Sequence, residues 1–324
     1  MRKNLNTITV TGYVYSFGDG NGRNDLKLAV TGEKSKNPGT EYISGTVNIA
    51  VDEMGLNVIP VSFTYVTGTY AKSGKSNPNF SALKKLIEEN KTWVSVGKEN
   101  AAKVKIDGAV ALNEFYVKEN DEDRLVSSKV NAGSFINFVS ELPAENERAT
   151  FKCDMLISRV THVDADEERN IKEDYSTVRG AIFDFRNGIL PLDFVVRNPQ
   201  GMKYFESLDT DEGPVYTKVW GKINCSTTTS ETKEESAFGE AAVRVYEKKV
   251  REWIITGTAK EPYEFGDEEV MTGDEVAKAM QDREVMLAEM KKRSEEYAST
   301  KATPAAAATP APAAAKAKVG GFSF

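Results

Sequence analysis

Ile43-Ser-Gly-Thr-Val-Asn-Ile-Ala-Val51, a short turn, then Val58-Ile-Pro-Val-Ser-Phe-Thr-Tyr-Val66 read as two β-strands joined in a hairpin. Branched and aromatic residues alternate with small polar ones, which suits a half-buried pleated strand and not a helical stripe. The plan recurs as Val178-Arg-Gly-Ala-Ile-Phe-Asp-Phe-Arg186 and Ile189-Leu-Pro-Leu-Asp-Phe-Val-Val-Arg197. Laid side by side, Gly45 falls on Gly180 and Pro60 on Pro191, and the first copy has the longer turn. The chain contains a repeat.

Working outward, Phe80 to Glu89 and Met202 to Leu208 each offer a short helical stretch. Val104-Lys-Ile-Asp-Gly108-Ala-Val then matches Thr217-Lys-Val-Trp-Gly221-Lys-Ile. Arg124 to Ser140 and Arg244 to Thr258 close the two copies as alternating strands, with Phe135-Ile136 set against Trp253-Ile254. Thr7 to Phe17 and Thr150 to Val163 supply a first long strand for each. Five strands with a helix between the third and fourth is the order of an oligonucleotide/oligosaccharide-binding (OB) barrel. A two-sheet sandwich is the structural alternative. The expected fold is mainly β: two tandem OB-fold-like five-stranded barrels over residues 1–145 and 146–266. Beyond them come an amphipathic helix within 267–298 and a disordered Ala/Pro-rich tail over 299–324.

Thr272-Gly-Asp-Glu275 has capping-box spacing and opens that helix, expected over Asp274 to Tyr297 with Val276, Met280, Leu287 and Met290 as its apolar stripe. The tail cannot bury enough apolar surface to offset its ordering entropy. It ends Val319-Gly-Gly-Phe-Ser-Phe324, two aromatic residues that suit docking in a partner's apolar pocket.

Composition excludes several classes. The sole histidine, His162, cannot build a histidine-rich metal site, and the two cysteines, Cys153 and Cys225, lack metal-ligand spacing. No Walker A pattern occurs; Gly18-Asp-Gly-Asn-Gly22 has no lysine and opens no helix. No nucleophile–base pair stands out, so no catalytic residue, metal or cofactor is expected. Neither a membrane span nor a signal peptide is legible, which points to the cytoplasm. Net charge is −7, and the segment from Lys260 on carries only 12 acids and 9 bases, so residues 1–259 are acidic as well. Any nucleic-acid site must be a local patch.

Strand alternation points to such patches. Tyr216, Lys218, Trp220 and Lys222 face away from Val215, Thr217, Val219 and Ile223, and Arg179, Phe183 and Phe185 share a face of the paired hairpin. In the first copy, Tyr13, Tyr15 and Phe17 oppose Ile8, Val10 and Val14, with Lys27, Lys34, Lys36, Lys72 and Lys75 nearby in sequence. Aromatic rings interleaved with cations suit unpaired strands: bases stack on the rings while the cations track phosphate.

In these features the chain resembles single-stranded-DNA-binding proteins, particularly those of bacteriophages. The resemblance implies sequence-tolerant coating of exposed strands in replication or recombination, in the host cytoplasm, with no enzymatic activity and with self-association open. It places stacking on Trp220, Tyr216, Phe183 and Phe185. It gives Phe322 and Phe324 the recruitment of replication or recombination proteins, although Lys316 and Lys318 stand where the bacterial family's tail is acidic. The alternatives are a viral structural or assembly protein and an RNA-binding regulator.

Overall fold

The computed structural model describes residues 4–18, 24–70, 73–119, 122–166, 171–234, 242–264 and 270–302, without the side chains of 228–248 and 298–302. The tail beyond 302, with Phe322 and Phe324, lies outside the described residues, as does Lys72. In chain order the elements are β1 (Asn6–Phe17), β2 (Lys27–Val30), β3 (Glu41–Ala50), β4 (Val58–Thr67), α1 (Pro78–Glu89), α2 (Trp93–Val96), β5 (Lys103–Glu119) and β6 (Glu122–Phe138). The second half supplies β7 (Ala149–Val163), β8 (Tyr175–Phe183), β9 (Ile189–Val196), α3 (Pro199–Glu206), β10 (Val215–Glu234), β11 (Ala242–Thr258) and α4 (Gly273–Ala302). The architecture is mainly β with a C-terminal helix, as the alternation predicts. No helix among the described residues is long and apolar enough to cross a membrane.

Strand pairing closes into two five-membered rings. In the first, β1 pairs with β3 and β5, β3 with β4, β5 with β6, and β4 closes on β6 in parallel. In the second, β7, β8, β9, β11 and β10 repeat that circuit, again with one parallel closure, β9 on β11. The helices between the third and fourth strands start alike. Asn77 and Asn198 cap α1 and α3, each accepting a backbone N–H with Oδ1, and a proline follows each as the first helical residue. That Asn-Pro pair is a repeat signal the hairpin comparison passed over.

The rings meet along β1 and β7, whose antiparallel register sets Ile8 opposite Phe151. These two residues are equivalent: Ile8 opposes Gly108 and Phe151 opposes Gly221, and a bulge precedes each glycine. The pair therefore marks a local two-fold axis relating the rings. Only glycine fits at 108 and 221, since a Cβ would lie 2.0 and 1.9 Å from a cross-strand carbonyl oxygen.

This register corrects the remaining repeat alignment. Gly180 opposes Ile157 just before a bulge, the place that Ile49 takes opposite Val14, so Gly180 matches Ile49 and not Gly45. By the same ladders Pro191 matches Val58, and Trp253 matches Asn131. The slips are even numbers of residues, so the pleat keeps each residue on the face that alternation gave it.

One apolar cluster runs through both rings, with Val10, Ile106, Phe151, Phe194 and Trp253 among its members. A second cluster lies outside the second ring, where Leu156, Ala181, Phe183, Ile189 and Tyr216 pack under Val270, Met271 and Ala279. The capping box forms: Glu275 N donates to Thr272 Oγ1 at 3.3 Å, and Thr272 N to Glu275 Oε2 at 3.0 Å. Ala279 faces the ring, and Met280, expected in the stripe, is 49% exposed on the other side.

The long β5–β6 hairpin reaches across to α4 and the second ring. Glu114 takes both guanidinium nitrogens of Arg283, at 2.6 and 3.0 Å, and Asp123 meets Lys291 at 3.6 Å. Lys129 enters the second ring, donating to the Asp193 carbonyl with its amine 4.8 Å from the Trp253 ring centre. Burial lowers the Lys129 pKa, against the opposing pull of Asp193 and Glu252.

Candidate nucleic-acid interface

Because β1 pairs with both β5 and β7, and β7 with β10, four strands from two rings form one outer face in the order β5-β1-β7-β10. Register fixes its rows. Tyr13 lies beside Lys103, Thr11 beside Lys105, and Thr9 beside Asp107. Across the seam Thr7 meets Lys152, which meets Trp220, while Thr9 meets Thr150, which meets Lys222. Lys218 follows, opposite Asp154. Five lysines thus share a face on which Asp154 is buried. Asp107 is occupied, accepting from Thr9 Oγ1 at 2.7 Å and facing Lys105 Nζ at 3.3 Å.

Each end of this face carries aromatic rings. At the β10 end the Trp220 indole lies on Gly257, where a Cβ would come within 2.4 Å of Nε1, and it remains 36% exposed. The bare glycine thus lets the indole lie against the backbone of β11. At the opposite end Trp93 packs on Tyr13 and Tyr15 with ring centres 5.6 and 5.8 Å apart. Lys98 and Lys103 each bring an amine to 5.6 Å from the Tyr13 ring centre. Burial, then Glu53, raises the Tyr13 pKa and keeps its hydroxyl neutral.

Glu53 anchors this end. It pairs with Lys98 at 2.6 Å and Arg148 at 2.8 Å, and those hydrogen bonds hold its carboxyl down at about 2. A depressed carboxylate stabilises the folded state above its ordinary pKa, and the contribution fades as pH falls towards 2. The Glu53 side chain is 44% exposed, so the effect is small. Thermal unfolding followed from pH 7 to 2 should lose a shallow acid-side step in Glu53→Gln; an unchanged profile would remove the anchor.

The sequence candidates divide cleanly. Tyr13, Tyr15, Lys218, Trp220 and Lys222 come together on or beside this face. Tyr216 and Phe183 do not: they are 1% and 0% exposed and stack edge to face at 6.1 Å under the segment leading into α4. Alternation placed them outside the ring correctly, but the C-terminal helix covers that part of the exterior. Phe185 is 88% exposed at the β8–β9 turn, away from the face, with the Arg186 guanidinium 4.9 Å from its ring centre. Arg179 is neutralised by Asp193 at 2.9 and 3.2 Å. Lys27 and Lys75 are exposed on other parts of the first ring.

Lys98, Lys103, Lys105, Lys152 and Trp93 escaped sequence reading. The outward strand phase of Lys103, Lys105 and Lys152 was legible, yet only the β1–β7 pairing puts Lys105 and Lys152 on one face. His162 is an exposed strand-end residue. The Glu206 carboxylate 2.8 Å from Nδ1 raises its pKa, and Asp164 and Asp174 lie close enough to complete a three-ligand cluster.

Fold and face together define a two-ring β protein with a basic, aromatic-ended exterior on an acidic chain. The chain belongs to the YorF family, whose model matches residues 24–293. No curated protein sequence matches it. Among solved structures it is similar to wild-type single-stranded DNA binding protein from Thermus aquaticus, at 9% identity over 83% of this chain and 98% of that one. A deletion mutant of the same protein matches at 10% identity over 82% and 99%, and both overlays have a TM-score of 0.44.

Proposed function

We propose that this chain is a non-catalytic, sequence-tolerant single-stranded-DNA-binding protein whose strand runs across the β5-β1-β7-β10 face. One observation carries the reading: Lys103, Lys105, Lys152, Lys218 and Lys222 share one face with Tyr13 and Trp220 on a chain of net charge −7. From Tyr13 to Trp220 the track crosses six residues of β1 and two strand spacings, roughly 20–25 Å. That span fits the low end of the roughly 4–16 nucleotides such folds engage.

The second ring contributes more. Lys152, Trp220 and Lys222 occupy positions that hold Thr9, Asp107 and Ala109 in the first. Oligo-dT should quench tryptophan fluorescence at low salt. If all five lysines neutralise phosphates, log K should fall against log salt with a slope of about −3.5, and each lysine-to-alanine change should remove about 0.7. A flat salt response would exclude the face, and preference for the RNA oligomer would move the reading to an RNA-binding regulator.

A phage-encoded role in replication or recombination, in the host cytoplasm, follows from the sequence resemblance and belongs to the same proposal. The tail would recruit enzymes of those processes through Phe322 and Phe324. Removing residues 319–324 should then abolish capture of such enzymes while leaving oligo-dT affinity unchanged.

A further inference from the structure

Beside Trp220 a cavity of about 270 Å³ opens between α3 and the end of β11. Phe205 and Ile255 form its buried floor. Asn198, Gln200 and Thr256 stand exposed at its rim, and Gly257, which carries the Trp220 indole, is part of its wall. We propose that this cavity receives one unpaired nucleobase of the strand held on the adjacent face, so that the protein reads the identity of a single base there.

Size, charge and position support that ligand. Drug-sized pockets run roughly 300–1,000 Å³, so this one takes a single small group and not a whole nucleotide cofactor. None of its lining residues is charged, which selects a neutral ligand over a phosphate, carboxylate or amine. The rim offers hydrogen-bonding side chains of both senses. Asn198 Oδ1 is occupied by the amides of Gln200 and Gly201, leaving its NH₂ as a donor, while the Gln200 side chain makes no hydrogen bond among the described residues. An apolar floor with donors and acceptors at its edge suits a flat base whose polar atoms lie on its perimeter. Gly257 is common to cavity and platform, so the cavity lies one residue away from the ring on which a base would stack.

The inference rests on the strand-binding proposal, and its test separates the two. Wild-type protein, Gln200→Ala and Thr256→Phe are titrated with dT, dA and dC oligomers of equal length and with an oligomer of abasic sites. The wild type should prefer one homopolymer over the abasic oligomer by more than the others, by roughly tenfold, the scale of one base-edge contact. Gln200→Ala should shrink that preference without altering the salt slope. Thr256→Phe, which fills the mouth, should abolish it. Binding without discrimination, or discrimination untouched in both variants, overturns the cavity and leaves the face standing. Failure of the wild type to bind any oligomer overturns both.

Discussion

Replacing Trp220 and Tyr13 together by alanine is expected to weaken oligo-dT binding by roughly 2–6 kcal/mol, at about 1–3 kcal/mol for each stacked base. The two sites differ in risk. Trp220 lies over Gly257 at the surface, 36% exposed and outside the apolar core, so its removal should leave the fold intact and report chiefly on stacking. Tyr13 also supports Trp93 and two lysines, so its variant needs a thermal-unfolding control. Titrations of the single and double variants at fixed salt decide the matter. A combined loss below half a kilocalorie per mole would place the strand elsewhere.

Arg283→Ala should produce the largest loss of stability, about 3–5 kcal/mol, because it strands Glu114 without its partner. The Glu114 side chain is 6% exposed and Arg283 is 14% exposed, so solvent cannot replace the lost guanidinium. The same change loosens α4 from the ring and uncovers Phe183 and Tyr216, which should appear as binding of a hydrophobic dye before global unfolding. Changing both partners at once, Glu114→Gln with Arg283→Met, should cost less, since no buried charge is left behind. Denaturant unfolding of the three proteins tests this, and equal losses would show that the charge pair is not what fixes the helix.

Much of the fold was legible because it is written in local periodicity. Alternation located the main strands, and Thr272 with Glu275 marked the start of α4. The glycine pair Gly108 and Gly221 was matched correctly because the surrounding strands are similar. Gly45 and Gly180 were not, because hairpin register is set by cross-strand bulges that single strands do not reveal. The face suffered from the same limit. Tyr216 and Trp220 occupy the same phase of one strand, and nothing nearby in sequence says that one lies under Met271 while the other stays open. Lys152 shows the converse: an unremarkable strand residue gains meaning once β7 lies beside β1.

The two-fold relation through Ile8 and Phe151 resembles the interface of a symmetric dimer, except that both partners belong to a single polypeptide. Identical subunits must repeat every substitution on both sides, so a tryptophan gained on one half would also appear on the other. Covalent linkage lifts that constraint: one half keeps Asp107 while the other installs Trp220. It also makes the composite surface independent of protein concentration, because dilution cannot separate its halves.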